Sequence, residues 1–199
     1  MFNASFMPGA TVVGLTFKGG VILAAEKRIS YGHFVVSHKG KKVFKITDYV
    51  GAACAGMVAD MQVLMKEIGV YSKLRELESR KTLQPNSIAK LMGVLLFERR
   101  FVPLLTQVVI GGFDSKPSVY VLDPLGSVIP DEYATVGTGA EVAIGVIETE
   151  FTSGLSEAKA KDLAVKAIRA AIQRDTSSGD GVDLLIITSD GSKEELVQF

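Results

Sequence analysis

The stretch Thr11–Phe17, TVVGLTF, is followed by the turn residues Lys18-Gly19-Gly20 and then by VILAAE at residues 21–26. Both apolar stretches are short and rich in β-branched residues, and the glycines between them favour a tight turn. The sequence therefore predicts an antiparallel hairpin at the start of the fold. Further strands are predicted at residues 42–47, 49–55, 107–113, 118–122, 182–188 and 194–198, with Asp48 in a turn.

Two pairs of helices separate these strands. From Gly56 onward, apolar residues recur at helical spacing as far as Tyr71, and a second helix is predicted at residues 86–100 with Asn86 or Ser87 as its cap. The second pair is predicted at residues 139–151 and 156–174, the latter capped by Ser156. Strands that alternate with helix pairs in this order predict stacked antiparallel sheets with helices on their outer faces.

Composition limits the classes of function. The chain has 199 residues, which suits one domain, and its 22 basic and 22 acidic residues give no support for a nucleic-acid partner. The single cysteine, Cys54, excludes an internal disulfide and a multi-cysteine metal site, so we expect no metal and no cofactor. His33 and His38 lie in a polar, hairpin-like stretch, which argues against a Ser-His-Asp triad.

Targeting signals are missing from the sequence pattern. No stretch has the length of a transmembrane helix, and residues 1–9 are too short for a signal peptide and lack a basic start. We therefore expect a cytoplasmic protein without a membrane partner. The mean hydropathy of +0.28 is high for a small monomer and indicates surface that is buried in an assembly.

Five segments, taken in order, identify a family. They are GATVVGLTFKGGVILAAEKR (9–28), KKVFKI (41–46), GAACAGMVAD (51–60), VGTGAEVAIGV (136–146) and RDTSSGDGV (174–182). Each polar residue in them has an ordinary structural explanation, such as a charged strand end or a helix that ends in a turn. Together they resemble a 20S proteasome β-subunit of the archaeal type. The resemblance implies an α+β fold, the four-layer αββα sandwich of N-terminal-nucleophile hydrolases, with residues 10–199 as one domain.

The resemblance also implies roles for individual residues. In this family a threonine attacks the peptide carbonyl and its own α-amine acts as the base. That nucleophile position is occupied here by Ala10. The lysine that tunes the amine corresponds to Lys42, and the acid that holds this lysine corresponds to Glu26, where the family usually has aspartate.

The remaining site residues follow from the same resemblance. Asp175 and Ser178 support the amine, and Thr138 supplies the hydroxyl of a Gly-Ser-Gly-like turn. Two further roles concern the substrate: Gly56 offers its backbone N–H to the oxyanion, while Ser30 and Val58 line the bound peptide.

Ala10 changes what these residues can do. An alanine has no hydroxyl, so Lys42 and Glu26 have no nucleophile to activate. Removal of the leader, residues 1–9, needs the same hydroxyl, and we therefore expect the leader to stay attached and to block the amine. Thr11 is an inferior substitute, because side chains alternate along a strand and its hydroxyl should point away from Lys42.

The leading hypothesis is therefore a non-catalytic β-subunit in a seven-membered ring. Its expected partners are α-subunits, other β-subunits including a catalytic one, and unfolded polypeptides fed by a regulatory ATPase. The main alternative is an active threonine endopeptidase that carries an introduced Thr-to-Ala change. An amidohydrolase acting on a small molecule would need the same missing nucleophile, and a monomeric binding protein is the remaining possibility.

Overall fold

The computed structural model describes residues 9–198, which form twelve strands and four helices. The predicted leader therefore lies outside the described residues, except for Gly9. The strands are β1 Thr11–Phe17, β2 Gly20–Glu26, β3 Ile29–Tyr31, β4 Phe34–Ser37, β5 Val43–Lys45, β6 Val50–Gly56, β7 Thr106–Phe113, β8 Pro117–Leu122, β9 Val128–Asp131, β10 Tyr133–Gly137, β11 Val182–Thr188 and β12 Gly191–Val197. The helices are α1 Val58–Ser79, α2 Pro85–Glu98, α3 Ala140–Glu150 and α4 Glu157–Ile172.

The strands build two five-stranded antiparallel sheets and one separate hairpin. The first sheet has the order β10-β1-β2-β11-β12 and the second has the order β5-β6-β7-β8-β9. The predicted β1–β2 hairpin forms, with Val12 opposite Ala25 and Phe17 opposite Gly20. Within the part of the chain that the structure describes, strands β3 and β4 pair only with each other.

Three apolar layers hold the fold together. One lies between the first sheet and helices α3 and α4, a second lies between the second sheet and helices α1 and α2, and a third fills the space between the two sheets. Strands β1 and β2 contribute to two of these layers because successive side chains point to opposite faces. The predicted four-layer αββα sandwich is confirmed.

The predicted helix cap is correct for α4 and wrong for α2. Ser156 caps α4 by accepting a hydrogen bond from the backbone N–H of Lys159, as predicted. The predicted caps of α2, Asn86 and Ser87, are wrong, because this helix begins at Pro85 with Gln84 before it. Proline is favoured in the first helical turn, where no N–H is needed, and this fixes the start.

Two of the strands that sequence patterns missed, β9 and β10, are edge strands of the large sheets. Among residues 9–198, β9 pairs only with β8 and includes Pro130, and β10 forms the outer strand of the first sheet. Strand β10 matters for the site because its end, Gly137, lies opposite Thr11 at the start of β1. In the described part of the chain, none of the helices is both long and apolar enough to cross a membrane.

Candidate active site

Ala10 lies at the start of β1, at one end of the space between the two sheets. It is buried, its backbone N–H donates to Thr138 Oγ1 at 3.2 Å, and its carbonyl oxygen accepts the N–H of Gly139 at 3.3 Å. Gly9 packs against Thr138 and Ser177 so closely that a Cβ would overlap both side chains. With Gly9 attached, the nitrogen of Ala10 is an amide that donates a hydrogen bond and cannot take up a proton.

A hydroxyl cluster, formed by Thr11, Thr138, Asp175 and Ser178, lies on one side of Ala10. Asp175 Oδ2 accepts hydrogen bonds from Thr138 Oγ1 at 2.6 Å and from Ser178 Oγ at 2.7 Å. Thr11 Oγ1 lies 2.8 Å from Ser178 Oγ. Because the Ser178 proton is given to Asp175, Thr11 must be the donor to Ser178. The three sequence-predicted residues of this cluster therefore lie together.

The Thr11 hydroxyl is fully buried within this cluster. Lys42, by contrast, donates its hydrogen bonds to Glu26 and to the backbone carbonyl of Arg28. Strand β1 thus directs the side chains of Ala10 and Thr11 to different surroundings, as the alternation along a strand requires. Thr11 is therefore held as a hydrogen-bond donor to Ser178.

A charged cluster, formed by Glu26, Arg28, Lys42 and Asp180, contains the buried ion pair of the site. Glu26 is 0% and Lys42 is 3% exposed, and Glu26 Oε1 accepts from Lys42 Nζ. Glu26 Oε2 accepts the backbone N–H groups of Arg28 at 2.7 Å and of Gly179 at 3.0 Å. Glu26 therefore reaches the lysine, and both of its carboxylate oxygens are satisfied.

Burial and attraction act in opposite directions on this ion pair. Burial raises the pKa of Glu26, and the neighbouring charge of Lys42 opposes this shift. Burial also lowers the pKa of Lys42, and the carboxylates of Glu26, Asp175 and Asp180 oppose that shift. Desolvation dominates for both groups, so each ion depends on its partner to remain charged.

Arg28 and Asp180, the less buried members of the charged cluster, connect two loops. Arg28 Nε donates to Asp180 Oδ2 at 3.0 Å, and its second amino group reaches Oδ1 at 3.3 Å. His38 Nδ1 lies 2.9 Å from the same carboxylate. The Arg28 guanidinium holds the pKa of Asp180 below its usual value. These contacts fix the loop that carries Asp175 and Ser178 against the end of β2.

Gly56 adopts a backbone conformation that only glycine accommodates easily, with φ at +133°. A Cβ at this position would overlap the carbonyl oxygen of Leu105, so a side chain is excluded on steric grounds as well. The next amide, of Met57, donates to that carbonyl at 2.8 Å, and Asp60 accepts the N–H of Leu105 at 2.7 Å. The Gly56 peptide is therefore held rigidly at the end of β6.

An apolar cavity of about 320 Å³ opens beside Ala10. Among the described residues, 9–198, none of those that line it is charged. Its walls include Ala10, Gly56, Met57, Leu105, Gln107 and Thr138. The other two predicted substrate residues lie elsewhere: Ser30 is buried in β3, Val58 begins α1, and neither lines the cavity.

Three polar residues were not assigned a role from the sequence. Arg28 follows the end of a strand and Asp180 lies in a loop. Their opposite charges were the sequence feature that could have predicted the pair. Gln107 is a polar residue in the otherwise apolar strand β7, and its Oε1 accepts the N–H of Gly137 at 3.1 Å. Cys54 is fully buried, and burial raises the pKa of its thiol, which disfavours a reactive thiolate.

Comparison with known proteins identifies the same family over most of the chain. The family model described as "Proteasome subunit" matches residues 7–187. "Proteasome subunit beta 1" of Cenarchaeum symbiosum is 57% identical over 188 residues, which cover 94% of this chain and 97% of the relative. The protein of the same name from Nitrosopumilus maritimus is 56% identical, over 95% and 96% of the two chains. "Proteasome subunit beta 2" of Pyrobaculum arsenaticum is 49% identical, over 96% and 94%.

Proposed function

The chain belongs to the proteasome subunit family as a β-subunit of the core particle, and we propose that it is a non-catalytic member of that particle. It assembles with α-subunits and with other β-subunits. In this proposal at least one of those β-subunits is catalytic, the β-ring has seven members, and the particle degrades cytoplasmic polypeptides that a regulatory ATPase delivers. The contribution of this chain is to the assembly and to the shape of the proteolytic chamber.

One observation carries the proposal: a methyl group stands where the chemistry needs a hydroxyl. Ala10 is surrounded by the groups that would support a nucleophile, with Thr138 at its amide and the hydroxyl cluster beyond. The ion pair of Lys42 and Glu26 is formed nearby. Those groups tune the reactivity of a nucleophile and cannot substitute for one. The assignment of Glu26, Lys42, Thr138, Asp175 and Ser178 as supporting residues, and of Gly56 as the oxyanion donor, is part of this proposal.

The proposal includes a retained leader. Leader removal by the chain itself would need a hydroxyl at position 10, so residues 1–9 stay attached unless a catalytic neighbour removes them. An attached Gly9 keeps the Ala10 nitrogen an amide, which already donates its only hydrogen to Thr138. Both the nucleophile and the base are then missing from this chain.

The test is to assemble the chain with α-subunits alone and, separately, with α-subunits plus a catalytic β-subunit. We expect no peptidase activity from the first particle and normal activity from the second. Mass spectrometry of the first particle should find this chain with residues 1–9 present. A particle of the first kind that cleaves peptides, or that is acylated at Thr11 by a lactone inhibitor, would contradict the proposal.

Restoring the hydroxyl separates this function from that of a disabled protease. The variants Ala10→Thr and Ala10→Thr with Glu26→Asp should be compared in particles that contain α-subunits and no other β-subunit. If either variant cleaves peptides and removes its own leader, the supporting groups are competent and only the hydroxyl was missing. If both remain inert in assembled particles, the site serves the fold alone, and the alternative of an active enzyme with an introduced change is excluded.

A further inference from the structure

Side-chain bonds join the two large sheets on either side of Ala10. Glu26, at the end of β2, accepts a hydrogen bond from Lys42, which directly precedes β5. Gln107, near the start of β7, accepts the N–H of Gly137 at the end of β10, with 3.1 Å between Oε1 and the nitrogen. The first bond belongs to the charged cluster, whereas the second belongs to neither cluster and needs its own explanation.

The strand order shows what these two bonds surround. In the first sheet, β1 lies between β10 and β2, and Ala10 directly precedes β1. In the second sheet, β6 lies between β5 and β7, and Gly56 is the last residue of β6. The ion pair joins β2 to the start of β5, and Gln107 joins β7 to β10. Ala10 and Gly56, which line the same cavity, therefore lie between these two bonds.

On the side of the second sheet, the Gln107 bond is connected to the Gly56 peptide. Thr106, which precedes Gln107, lies opposite Gly56 in the β6–β7 ladder. The carbonyl of Leu105 approaches Gly56 so closely that it leaves no room for a Cβ, and it accepts the N–H of Met57. A shift of the first residues of β7 would therefore carry the Gly56 peptide with it.

On the side of the first sheet, the same bond is connected to residue 10. Gly137 lies opposite Thr11, and a Cβ on Gly137 would overlap the carbonyl oxygen of Ala10. Thr138, the next residue, accepts the N–H of Ala10 at 3.2 Å. The N–H of Gly137 points to the second sheet, where Gln107 accepts it. Gln107 therefore anchors the backbone that holds residue 10.

The spacing between the two sheet ends matters for any attack on a peptide bond. A carbonyl group can react with a hydroxyl at residue 10 only while its oxygen reaches the N–H at Gly56, so both groups must stand at fixed positions. A misplacement of about 1 Å can lower the rate of such a reaction by about 100-fold. A side-chain bond that ties together the backbone segments carrying both groups is suited to hold this spacing.

We propose that Gln107 is a positioning residue, which holds the Gly56 peptide and residue 10 at a fixed spacing through its hydrogen bond to Gly137. The inference rests on the proposed function, because it takes Gly56 as the oxyanion donor and residue 10 as the nucleophile position. The bond itself needs no nucleophile, so its effect on the two positions can be measured in the chain that carries Ala10.

The experiment measures amide hydrogen exchange and amide chemical shifts by NMR in the full-length chain labelled with nitrogen-15. Gln107→Leu removes the acceptor and keeps a side chain of similar size. Exchange at the Gly137 amide should become about 3- to 10-fold faster, the value of one hydrogen bond. The amide resonances of Ala10 and Gly56 should shift as well, because the spacing between them has lost its support.

Gln107→Glu tests whether the side-chain oxygen is the acting group. It keeps an acceptor for the Gly137 N–H, so the exchange rate at Gly137 and the resonances of Ala10 and Gly56 should return close to those of the unchanged chain. The matched control is Gln84→Leu, because Gln84 is also exposed and its side chain makes no capping hydrogen bond to α2. This control should leave all three amides unchanged, and unfolding curves should show that each variant folds.

Exchange that rises only at Gly137, with Ala10 and Gly56 unshifted, would show a local surface bond and overturn the inference. A failure of Gln107→Glu to restore the two resonances would overturn it as well. In particles made active by Ala10→Thr, Gln107→Leu should lower kcat about 10-fold and leave KM nearly unchanged, and an unchanged kcat would contradict the positioning role. The proposed function fails differently, because the assembly test would then find peptidase activity in particles that carry Ala10, whatever the amide measurements show.

Discussion

The charged cluster and the hydroxyl cluster flank the same alanine, and they differ in how deeply their charges are buried. In the charged cluster Glu26 and Lys42 are almost completely removed from solvent, and burial disfavours the charged form of both. In the hydroxyl cluster the only charge is Asp175, which is half-buried and surrounded by neutral hydroxyl groups. The charged cluster should therefore be needed for the fold whether or not the chain is catalytic, whereas the hydroxyl cluster should matter less.

The largest effect is expected from separating the buried ion pair. Lys42→Met would leave the Glu26 carboxylate buried without its cation, and the free energy of unfolding should fall by about 3–5 kcal/mol. Urea unfolding of the isolated chain at pH 7 measures this change. If Lys42→Met lowered the free energy of unfolding by less than about 1 kcal/mol, the charged cluster would be no more important for the fold than the hydroxyl cluster.

The matched control neutralises both partners. Lys42→Met combined with Glu26→Gln leaves no buried charge, and the glutamine oxygen can still accept the N–H groups of Arg28 and Gly179. Neutral replacement of a buried pair is often nearly free of cost, so the double variant should be more stable than Lys42→Met alone. A double variant as unstable as the single one would show that packing, not charge, holds this part of the fold.

How far the sequence predicts these clusters depends on the distance between their members in the chain. The β1–β2 hairpin is local, and its turn and apolar residues suffice to predict it. The contact between Thr11 and Ser178 joins residues 167 positions apart, and no local pattern predicts such a contact. The family resemblance brought Asp175, Ser178 and Thr138 into one site, but it gave no role to Thr11.

The features that the sequence did not predict have physical causes. Strand β9 contains Pro130, which lowers strand propensity and is tolerated at the edge of a sheet. The last part of α1 carries exposed apolar residues such as Leu74 and Leu77, so its helical pattern fades before the helix ends at Ser79. The apolar cavity could not be predicted, because it arises from the meeting of two sheet ends.

A smaller effect is expected in the hydroxyl cluster. Ser178→Ala would leave the fully buried Thr11 hydroxyl without its acceptor, at a cost of about 1–3 kcal/mol in the free energy of unfolding. Thr11→Val removes the same hydrogen bond from the donor side and leaves Ser178 bound to Asp175, so it should cost only about 0.5–1.5 kcal/mol.

Combining Ser178→Ala with Thr11→Val tests whether the two hydroxyls depend on each other. Once Ser178 is alanine, Thr11→Val removes a buried hydroxyl that has lost its partner, and the double variant should be no less stable than Ser178→Ala alone. Urea unfolding of the three variants measures the coupling. If the losses in the free energy of unfolding were strictly additive, the two hydroxyls would not depend on each other, and this would contradict the hydrogen bond between Thr11 and Ser178.

The smallest effect is expected at the exposed edge of the charged cluster, from Asp180→Asn. Asp180 has φ at +71°, a conformation that asparagine also tolerates, so the substitution removes the charge without adding backbone strain.

Arg28 lowers the pKa of Asp180 below 3.8 in the folded chain, so this carboxylate stabilises the fold above pH 3.8 and loses that effect as the pH falls through its folded pKa. The difference in unfolding free energy between the unchanged chain and Asp180→Asn should therefore be present at neutral pH and shrink below about pH 4. Since Arg28 is partly exposed and His38 is exposed, the difference should stay below about 1 kcal/mol and fall further in 1 M salt. A difference that grows as the pH falls below about 4 would mean that the charge of Asp180 opposes folding, and depth of burial would then no longer explain why the charged cluster outweighs the hydroxyl cluster.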